Sequence, residues 1–506
     1  MIRHTLQQYI EQMREIGQLV DIDLKGRDEL LVQELTFNSK EVITGTLFIC
    51  KGVAFKEQYL EDAISAGAIA YISDKKYDTS LDVPYILVRD IRISMPHIAD
   101  LFCNSAWKQL KLIGVGGTKG KSTSSYYIKA ILDDYLESVG KKPCGIISSI
   151  DVYVGDDTIE SHITTPEAVE LHKLFVTAVE NGLEYLVMEV SSQALKYNRV
   201  DCIGFDVGIF LNISEDHISP IEHPDFEDYF NSKMMHFALC DIGSVNLDDE
   251  LREEVLIRAL ASKEIITFGL SDPEAMYYGY NVEKDGVATN FKVRTKDWDE
   301  VFTLTMPGLF NVENALASIS AVDQLGIPVS FMQSGLKRAR SSGRMELYAS
   351  KDEQVIAIVD YAHNKLSFEK LYESMEKEYP EYKVITIFGC PGKKALIRRR
   401  DLGLLSGQHS DFVYLVAEDP GYEPVEEISR DIAQYVELSH TPYKMIEDRG
   451  EAICEAILSA EGKTLILVTG KGNETRQKYG SEYIECPSDV EYVTRYLSER
   501  DQTNDR

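Results

Sequence analysis

The chain has 506 residues, of which 44% are hydrophobic, and its formal net charge is −30 at pH 7. This length predicts two to four domains, and the composition is that of a globular protein. The strong acidic balance excludes nucleic acid and anionic membranes as general partners, because both repel a negatively charged surface.

The amino-terminal residues, MIRHTLQQYIEQMREIG, lack the apolar core of a signal peptide, and no apolar run is long enough to span a bilayer. The eight cysteines form neither a CxxC pair nor a His/Cys cluster with zinc-type spacing. We therefore expect a cytoplasmic protein with reduced thiols and no membrane insertion.

Residues 1–106 have the pattern of a small α/β unit. Two short apolar strands flank a turn at Thr44 and Gly45, and the segments AISAGAIAYISD and PYILVRD then alternate helix with strand.

The segment LIGVGGTKGKST, residues 112–123, predicts a phosphate-binding loop. An apolar strand leads into paired glycines, and a helical pattern follows Gly120, Lys121 and Ser122. Glycines let backbone N–H groups approach an anion, the helix start adds its positive dipole end, and the lysine adds a cation. The spacing is GxxGKS rather than the GxxxxGKS of a standard Walker A motif.

The second unit, residues 107–335, contains short apolar strands separated by helical stretches, which is typical of a mostly parallel sheet covered on both faces. Two of these strands end in polar residues. Glu189 ends one strand and His217 follows another, so both are predicted at the sheet edge that holds the phosphate loop, where a carboxylate can bind Mg²⁺.

The third unit, residues 336–506, repeats the alternation of strand and helix. Its strands are followed by the loops DYAHN, GCPGKK, EDPGYE and GKGNE. Because ligands bind at the carboxyl ends of strands in a doubly wound sheet, these loops predict a second substrate site.

Eight segments together carry a family resemblance: GTKGKST, ITTPEA, MEVSSQAL, FLNISEDH, GLFNVENALA, GRMEL, VDYAH and VTGKGNE. In this order they resemble the Mur ligases, and most closely the MurE branch, which adds the third residue of the peptidoglycan stem peptide. The resemblance covers essentially the whole chain. It implies an α/β protein of three domains: a UDP-substrate domain (1–106), a central ATP-binding domain with a mostly parallel sheet (107–335) and a Rossmann-like amino-acid domain (336–506).

The resemblance also implies which residues contact each substrate. For the UDP-N-acetylmuramoyl-dipeptide these are Asn38, Ser39, Lys40, Thr164, Thr165, Ser191 and Arg199. For ATP they are Gly117, Thr118, Lys119, Gly120, Lys121, Ser122, Thr123, Asn311, Asn314, Arg344 and Asp360. For the free amino acid they are Lys394, Glu418, Asp419, Gly421, Gly470 and Glu474.

The catalytic residues implied by the resemblance are Lys121, Glu189, His217 and Lys233. Mg²⁺ would be held by Ser122, Glu189, His217 and Lys233. Lys233 matches a lysine that the family modifies to a carbamate (N6-carboxylysine), which turns a cation into an anion able to bridge a metal. In the similar enzymes ATP phosphorylates the terminal D-Glu carboxylate, and the incoming amine displaces phosphate from this acyl phosphate.

The choice of amino acid is predicted from departures from the family pattern. Relatives that use meso-diaminopimelate carry Asp-Asn-Pro-Arg, whose arginine binds the distal carboxylate of that substrate. Here Gly421 stands in place of that arginine, and Lys394 replaces a second one. The acids Glu418, Asp419 and Glu474 suit a substrate ending in an ammonium, so we predict L-lysine, with L-ornithine and meso-diaminopimelate as alternatives.

The sequence leaves three alternatives to the MurE interpretation open. Folylpolyglutamate synthases share the unusual phosphate loop but lack an amino-terminal uridine-nucleotide domain. MurF enzymes, which catalyse the next ligation, are a closer rival to the MurE interpretation. A non-catalytic paralogue is the third, although this chain retains Lys121, Glu189, His217 and Lys233 together. Tyr197, which stands where a glutamine often contacts substrate, makes the dipeptide pocket less typical than the ATP site.

Overall fold

The computed structural model describes residues 2–52, 55–77, 83–156, 158–161, 163–215, 218–219, 222–285, 288–306, 308, 310–340, 345–393 and 396–504. The chain divides into two compact units. The first comprises Met1–Tyr278, Arg294–Trp298 and Asn314–Gly335, and the second comprises Gly279–Val293, Asp299–Glu313 and Leu336–Arg506.

The first unit begins with a sheet of five described strands in the order β1-β5-β4-β3-β2. Strands β2 to β5 pair in parallel and β1 is antiparallel at the edge. The elements are α1 (Leu6–Glu15), β1 (Leu19–Asp23), β2 (Glu34–Thr36), β3 (Thr46–Ile49), α2 (Glu57–Ala66), β4 (Ala68–Ser73), β5 (Tyr85–Val88) and α3 (Ile91–Phe102).

Helix α1 shows why these elements form where they do. Thr5 caps it through a capping box with Gln8, and its apolar residues recur at helical spacing, so that Leu6, Tyr9, Ile10 and Met13 are all buried.

The second sheet begins with β6, the strand that leads into the phosphate loop. Its elements are β6 (Lys111–Gly116), α4 (Lys121–Ser138), β7 (Gly145–Ile147), β8 (Asp151–Tyr153), β9 (Ile159–Glu160), α5 (Ala168–Glu180), β10 (Tyr185–Glu189), α6 (Ser192–Lys196), β11 (Phe205–Phe210), α7 (Phe226–Met234), β12 (Cys240–Asn246), α8 (Arg252–Ala259), β13 (Glu264–Gly269), β14 (Tyr277–Asp285), β15 (Ala288–Arg294), β16 (Asp299–Leu304), α9 (Phe310–Gln324) and α10 (Val329–Arg338).

Within the first unit this sheet runs β13-β12-β11-β6-β10-β7-β8-β9, and the start of β14 pairs with β13. Strands β7, β10, β6, β11, β12 and β13 are mutually parallel. Strand β6 lies between β10 and β11, which come later in the chain, so the strand order reverses on either side of it. A crevice at such a switch point is where doubly wound sheets bind ligands.

The second unit contains β16 and most of β14 and β15, together with a sheet in the order β17-β18-β22-β19-β20-β21. Its further elements are β17 (Glu346–Ala349), β18 (Val355–Asp360), α11 (Lys365–Glu378), β19 (Lys383–Phe388), α12 (Ile397–His409), β20 (Phe412–Leu415), α13 (Val425–Val436), β21 (Tyr443–Met445), α14 (Arg449–Leu458), β22 (Thr464–Thr469), β23 (Arg476–Tyr479), β24 (Glu482–Glu485) and α15 (Asp489–Asn504).

Strands β18 to β22 of this sheet are parallel, and β17 is antiparallel at the edge. The loops after β18, β19, β20 and β22 therefore leave the sheet at the same edge, as the sequence predicted.

The predicted fold class is confirmed: the chain is α/β, with three sheet-centred regions of mostly parallel strands. The limits at residues 106 and 335 stay predictions, although each sheet falls within one of the predicted ranges. No helix in the described ranges combines the length and the apolar character needed to cross a membrane.

Candidate active site

The loop between β6 and α4 has the backbone shape of a phosphate cradle. Gly117 and Gly120 adopt φ values of +137° and +86°. A Cβ on Gly120 would lie 2.2 Å from Asn314 Oδ1, and one on Gly117 would lie 2.9 Å from Leu211 Cβ. Both positions therefore require glycine. Helix α4 begins immediately afterwards at Lys121, so its positive dipole end faces the loop.

The segment after β11 holds this loop in place. The backbone N–H of Thr118 donates to Asn212 O, that of Lys119 donates to Asn212 Oδ1, and Asn212 Nδ2 donates back to Lys119 O. The Thr118 hydroxyl lies 3.1 Å from the hydroxyl of Tyr229 on α7. Of the remaining loop residues, Ser122 and Thr123 lie in the first turn of α4 and are half-buried.

Two lysines converge on one carbonyl oxygen of the loop. Lys233 Nζ donates to Gly117 O at 2.7 Å, and Lys121 Nζ donates to the same oxygen and to Thr118 O at 3.1 Å each. The Lys233 ammonium also lies 4.9 Å from the centre of the Tyr229 ring, and the residue is 3% exposed. Two neighbouring cations repel each other, so an anion placed between or upon them is favoured.

Glu189 lies beside the loop at the carboxyl end of β10. Its Oε1 accepts hydrogen bonds from the Ser122 hydroxyl at 2.9 Å and from the backbone N–H and hydroxyl of Ser149. The glutamate is 1% exposed. A buried carboxylate next to a serine hydroxyl offers two oxygen ligands to a divalent cation, which would replace the hydrogen bond between them. His217, the other predicted magnesium ligand, lies outside the described residues.

The residues predicted to bind the dipeptide form a second cluster near β10. The Thr165 hydroxyl donates to Glu189 O, and Ser191 N donates to the Thr165 hydroxyl. Arg199 Nη1 donates to Thr165 O, while its Nη2 pairs with Glu167 at 2.9 Å. Thr164 is half-buried next to this cluster in the chain. Thr165, Ser191 and Arg199 are thus brought together.

The predicted uridine contacts lie on the first sheet. Asn38 ends the segment after β2, accepts from Lys40 N at 3.1 Å and donates to Glu41 at 2.9 Å. Ser39 starts the short 3₁₀ turn and Lys40 is exposed. All three residues are at least partly exposed and so accessible to a ligand, and their role in binding the uridine nucleotide stays a prediction.

One buried network was missed in the sequence. His223 Nε2 lies 3.0 Å from the Ser192 hydroxyl and Nδ1 lies 2.6 Å from Asp228 Oδ2. The Lys196 ammonium and His223, which contact Asp228, hold the pKa of that carboxyl below its ordinary value. The His223 ring also packs against Tyr229 at 5.1 Å. The network ties the helix that follows Ser191 to the helix that carries Lys233.

The other residues predicted to bind ATP lie outside the phosphate loop. Asn314 lies against Gly120 and is 5% exposed, whereas Asn311 is fully buried. Asp360 ends β18, where its carboxylate accepts from Met345 N and Ala362 N. Arg344 lies outside the described residues.

The residues predicted to bind the free amino acid lie at the edge of the third sheet where its parallel strands end. Lys471 pairs with both Asp419, at 3.0 Å, and Glu474. Glu418 is 8% exposed, and burial raises its pKa to about 7 against the opposing attraction of Arg449 and Lys471. A Cβ on Gly470 would lie 2.4 Å from Glu418 Oε2. Gly421 has a φ of +59°, so its backbone conformation also favours glycine. Lys394 lies outside the described residues.

A cavity of about 160 Å³ adjoins these residues. Its lining includes Arg449, Lys471, Glu474 and Gln477. The buried donors Arg449 Nη1 and Gln477 Nε2 have no hydrogen-bond partner in the part of the chain that the structure describes. Unsatisfied buried donors are costly, so the cavity suits a ligand that brings an acceptor such as a carboxylate.

Two family models match the chain: "Mur ligase middle domain" over residues 115–322 and "Mur ligase, glutamate ligase domain" over residues 343–472. The UDP-N-acetylmuramoyl-L-alanyl-D-glutamate--L-lysine ligase of Streptococcus agalactiae is 36% identical, with 92% of each chain covered. The corresponding 2,6-diaminopimelate ligase of Caldanaerobacter subterraneus is 34% identical, covering 95% of this chain and 98% of that one.

Solved structures share the fold. A UDP-N-acetylmuramoyl-L-alanyl-D-glutamate--2,6-diaminopimelate ligase superposes with a TM-score of 0.69 at 22% identity, covering 99% of both chains. The MurF ligase of Thermotoga maritima, solved in complex with ADP, gives 0.60 at 17% identity, covering 94% of this chain and 99% of that one.

Proposed function

The chain belongs to the Mur ligases, which are ATP-dependent amide ligases, and from this premise we propose that it joins L-lysine to the D-Glu carboxyl group of UDP-N-acetylmuramoyl-L-Ala-D-Glu. The product would be a precursor of peptidoglycan. The observation that carries the ligase proposal is the convergence of Lys121 and Lys233 on Gly117 O, beside the hydrogen-bonded pair of Ser122 and Glu189.

ATP fits the loop because the loop supplies what a triphosphate needs. Gly117 and Gly120 let the backbone turn tightly into α4, whose first N–H groups would face the phosphates, and Lys121 supplies a cation. Mg²⁺ fits as well, since Ser122, Glu189, His217 and the Lys233 carbamate would provide the oxygen and nitrogen ligands. When bound, the ion supplies charge neutralisation for phosphoryl transfer.

Lys233 is proposed to act as a carbamate. Its nitrogen retains one N–H after modification, so it can keep the hydrogen bond to Gly117 O while the new oxygens carry negative charge. Removing one of two neighbouring cations also relieves their repulsion. Incubation with ¹³C-bicarbonate should give a carbamate ¹³C resonance that a Lys233→Arg variant lacks. A resonance of equal intensity in that variant contradicts the assignment.

In the proposed reaction the residues of the chain mainly position the substrates and neutralise the charge of the transferred phosphoryl group. Thr165, Ser191 and Arg199 would hold the dipeptide so that its terminal carboxylate faces the γ-phosphate of ATP, while residues 38–40 hold the uridine end. Phosphoryl transfer gives ADP and an acyl phosphate. The amine of lysine then attacks that carbonyl, and phosphate leaves. Lys121 and the loop amides would stabilise the charge that develops on the transferred group.

One carboxylate at the edge of the third sheet, that of Glu418, supports lysine as the amine, whereas Asp419 and Glu474 already pair with Lys471. Glu418 is a buried carboxylate whose pKa of about 7 leaves it ready to ionise when a cation arrives. Gly421 offers no guanidinium for a distal carboxylate, which argues against meso-diaminopimelate. Arg449 and Gln477 would receive the carboxylate of the incoming amino acid. The 34% identity to a diaminopimelate ligase keeps that substrate as the second candidate, and L-ornithine remains an alternative.

The proposal places the enzyme in the cytoplasm, where ATP is supplied. All eight cysteines are free, which fits a reducing compartment.

A Lys121→Ala variant tests the ligase proposal. The wild-type chain should release phosphate from ATP only when the UDP-dipeptide and an amine are both present, and the variant should not. Lys142→Ala, which removes an exposed lysine, serves as the matched control and should keep wild-type turnover. Equal turnover in wild type and Lys121→Ala contradicts the proposal.

A further inference from the structure

We propose that His97, Asp201 and Cys202 form a binding site for a transition-metal ion of the zinc class, separate from the nucleotide site. One possible ligand atom from each residue lies within 4.8 Å of the other two. Cys202 Sγ lies 3.0 Å from His97 Nδ1, while Asp201 Oδ2 lies 3.8 Å from the other ring nitrogen, Nε2, and only one of these nitrogens would bind the ion. A thiolate, an imidazole and a carboxylate make a ligand set that favours Zn²⁺ over Mg²⁺ or Ca²⁺.

The separations suit a tetrahedral ion after small rotations of the side chains. Bond lengths of about 2.0–2.3 Å place tetrahedral zinc ligands roughly 3.4–3.6 Å apart. The separation of 3.0 Å between Cys202 and His97 must open slightly, and the others, at most 4.8 Å, must close by little more than an ångström. All three residues are partly exposed, so an ion can enter and water can fill the fourth position.

The surroundings give a second, independent observation. Asp100 follows His97 by three residues on α3 and accepts from Trp107 Nε1 at 2.9 Å. His172 is fully buried 3.7 Å from Asp100, and its ring interacts electrostatically with His97. Neither ring nitrogen of His172 has a hydrogen-bond partner within the described residues. The Asp100 carboxylate interacts electrostatically with both His172 and Cys202, so it adds negative charge beside the cluster and favours a bound cation.

Binding needs no oxidant or reductant. The Cys202 thiol gives its proton to solvent, its contact with His97 opens, and the thiolate sulfur forms a bond to the metal. Because zinc lowers the pKa of a coordinating thiol, the ion itself provides the driving force for this deprotonation.

The consequence of binding follows from where the ligands lie. His97 is on α3, and Asp201 and Cys202 form a turn just after Arg199. Arg92, also on α3, already stacks 4.1 Å over the Tyr197 ring. A metal that joins α3 to this turn would fix the segment that carries Tyr197 and Arg199. Metal binding stands on its own geometry, and only its effect on dipeptide binding rests on the proposed function.

Cobalt spectroscopy tests the site directly. The full chain, stripped with a chelator and kept in excess Mg²⁺, is titrated with Co²⁺. We expect a thiolate-to-cobalt charge-transfer band that one equivalent of Zn²⁺ removes. Cys202→Ser should abolish the band, and His97→Ala should weaken it. Cys454→Ser, which alters a half-buried free cysteine elsewhere, should keep it.

Thermal unfolding provides the second readout. Zn²⁺ should raise the unfolding midpoint of the wild type and of Cys454→Ser but not of Cys202→Ser. Midpoints without metal that agree among the three proteins show that the substitutions leave the fold intact. Absence of the band in the wild type, or its persistence in Cys202→Ser, overturns the proposal. Neither readout involves ligation, so failure of the proposed function would leave both results unchanged.

Discussion

Replacing Glu418 with glutamine tests whether a buried carboxylate receives the ammonium of the incoming amino acid. Glu418 follows β20 and is 8% exposed, and burial raises its pKa to about 7. Near neutral pH the carboxyl group is therefore partly protonated until a cation binds. The amide keeps the size of the side chain and removes its charge.

The rise from the ordinary value of 4.5 to about 7 sets the magnitude. It corresponds to roughly 3 kcal/mol, the free-energy cost of ionising this group in the folded chain. The pKa of Glu418 is higher in the folded chain than in the unfolded one, so the protonated carboxyl group stabilises the fold. This stabilisation is present below about pH 4.5 and is lost as the pH rises through about 7. Glu418→Gln should not show this loss, so its advantage in unfolding free energy over the wild type should grow across that window.

The assay is the KM for L-lysine between about pH 6 and pH 9, on either side of the Glu418 pKa. For the wild type it should fall as the pH rises toward about 7, because lysine binding must first deprotonate Glu418, and then level off. In Glu418→Gln the KM should be about 10- to 100-fold higher, as for the loss of a charged hydrogen bond, and should not vary with pH in this way. Glu427→Gln, at an exposed position of α13, is the control. A wild-type pH profile in Glu418→Gln refutes the reasoning.

Three further substitutions test the site. Gly120→Ala forces a Cβ to within 2.2 Å of Asn314 Oδ1 at a φ of +86°, so the KM for ATP should rise by about tenfold or more; an unchanged KM would show that the loop yields easily. Lys121→Ala should lower kcat by about 10²- to 10³-fold without altering the urea midpoint of unfolding, and a kcat within twofold of wild type would remove this lysine from the mechanism. His223→Ala leaves Asp228 without one partner and should lower the unfolding free energy by about 1–3 kcal/mol in urea titrations, whereas no change would show that Lys196 alone satisfies Asp228.

Local patterns predicted the phosphate loop well because each part of it is specified within a few residues. The apolar run of β6, the glycines with left-handed φ and the helix start at Lys121 lie in continuous sequence. The parallel strand order then follows, since strands separated by helices meet with their carboxyl ends at one edge. Glu189 could be assigned to that edge for the same reason.

Long-range pairings could not be predicted in this way. Ser192 and His223 lie 31 residues apart and meet only because α6 and α7 pack together. Strand β12, Cys240–Asn246, is also difficult to predict from local sequence, because its buried positions include the polar residues Ser244 and Asn246. The cluster of His97 with Cys202 likewise depends on tertiary packing, as the two residues are 105 positions apart.

The most direct test of the central claim is a competition for product. The enzyme is supplied with Mg²⁺, ATP and UDP-N-acetylmuramoyl-L-Ala-D-Glu, together with equal concentrations of L-lysine, L-ornithine and meso-diaminopimelate, and the product is identified by its mass. The proposal predicts the lysine adduct as the dominant product, formed with one phosphate released per molecule. A dominant diaminopimelate adduct would contradict the interpretation of Gly421 and Glu418, and ATP turnover without any adduct would contradict the ligase itself.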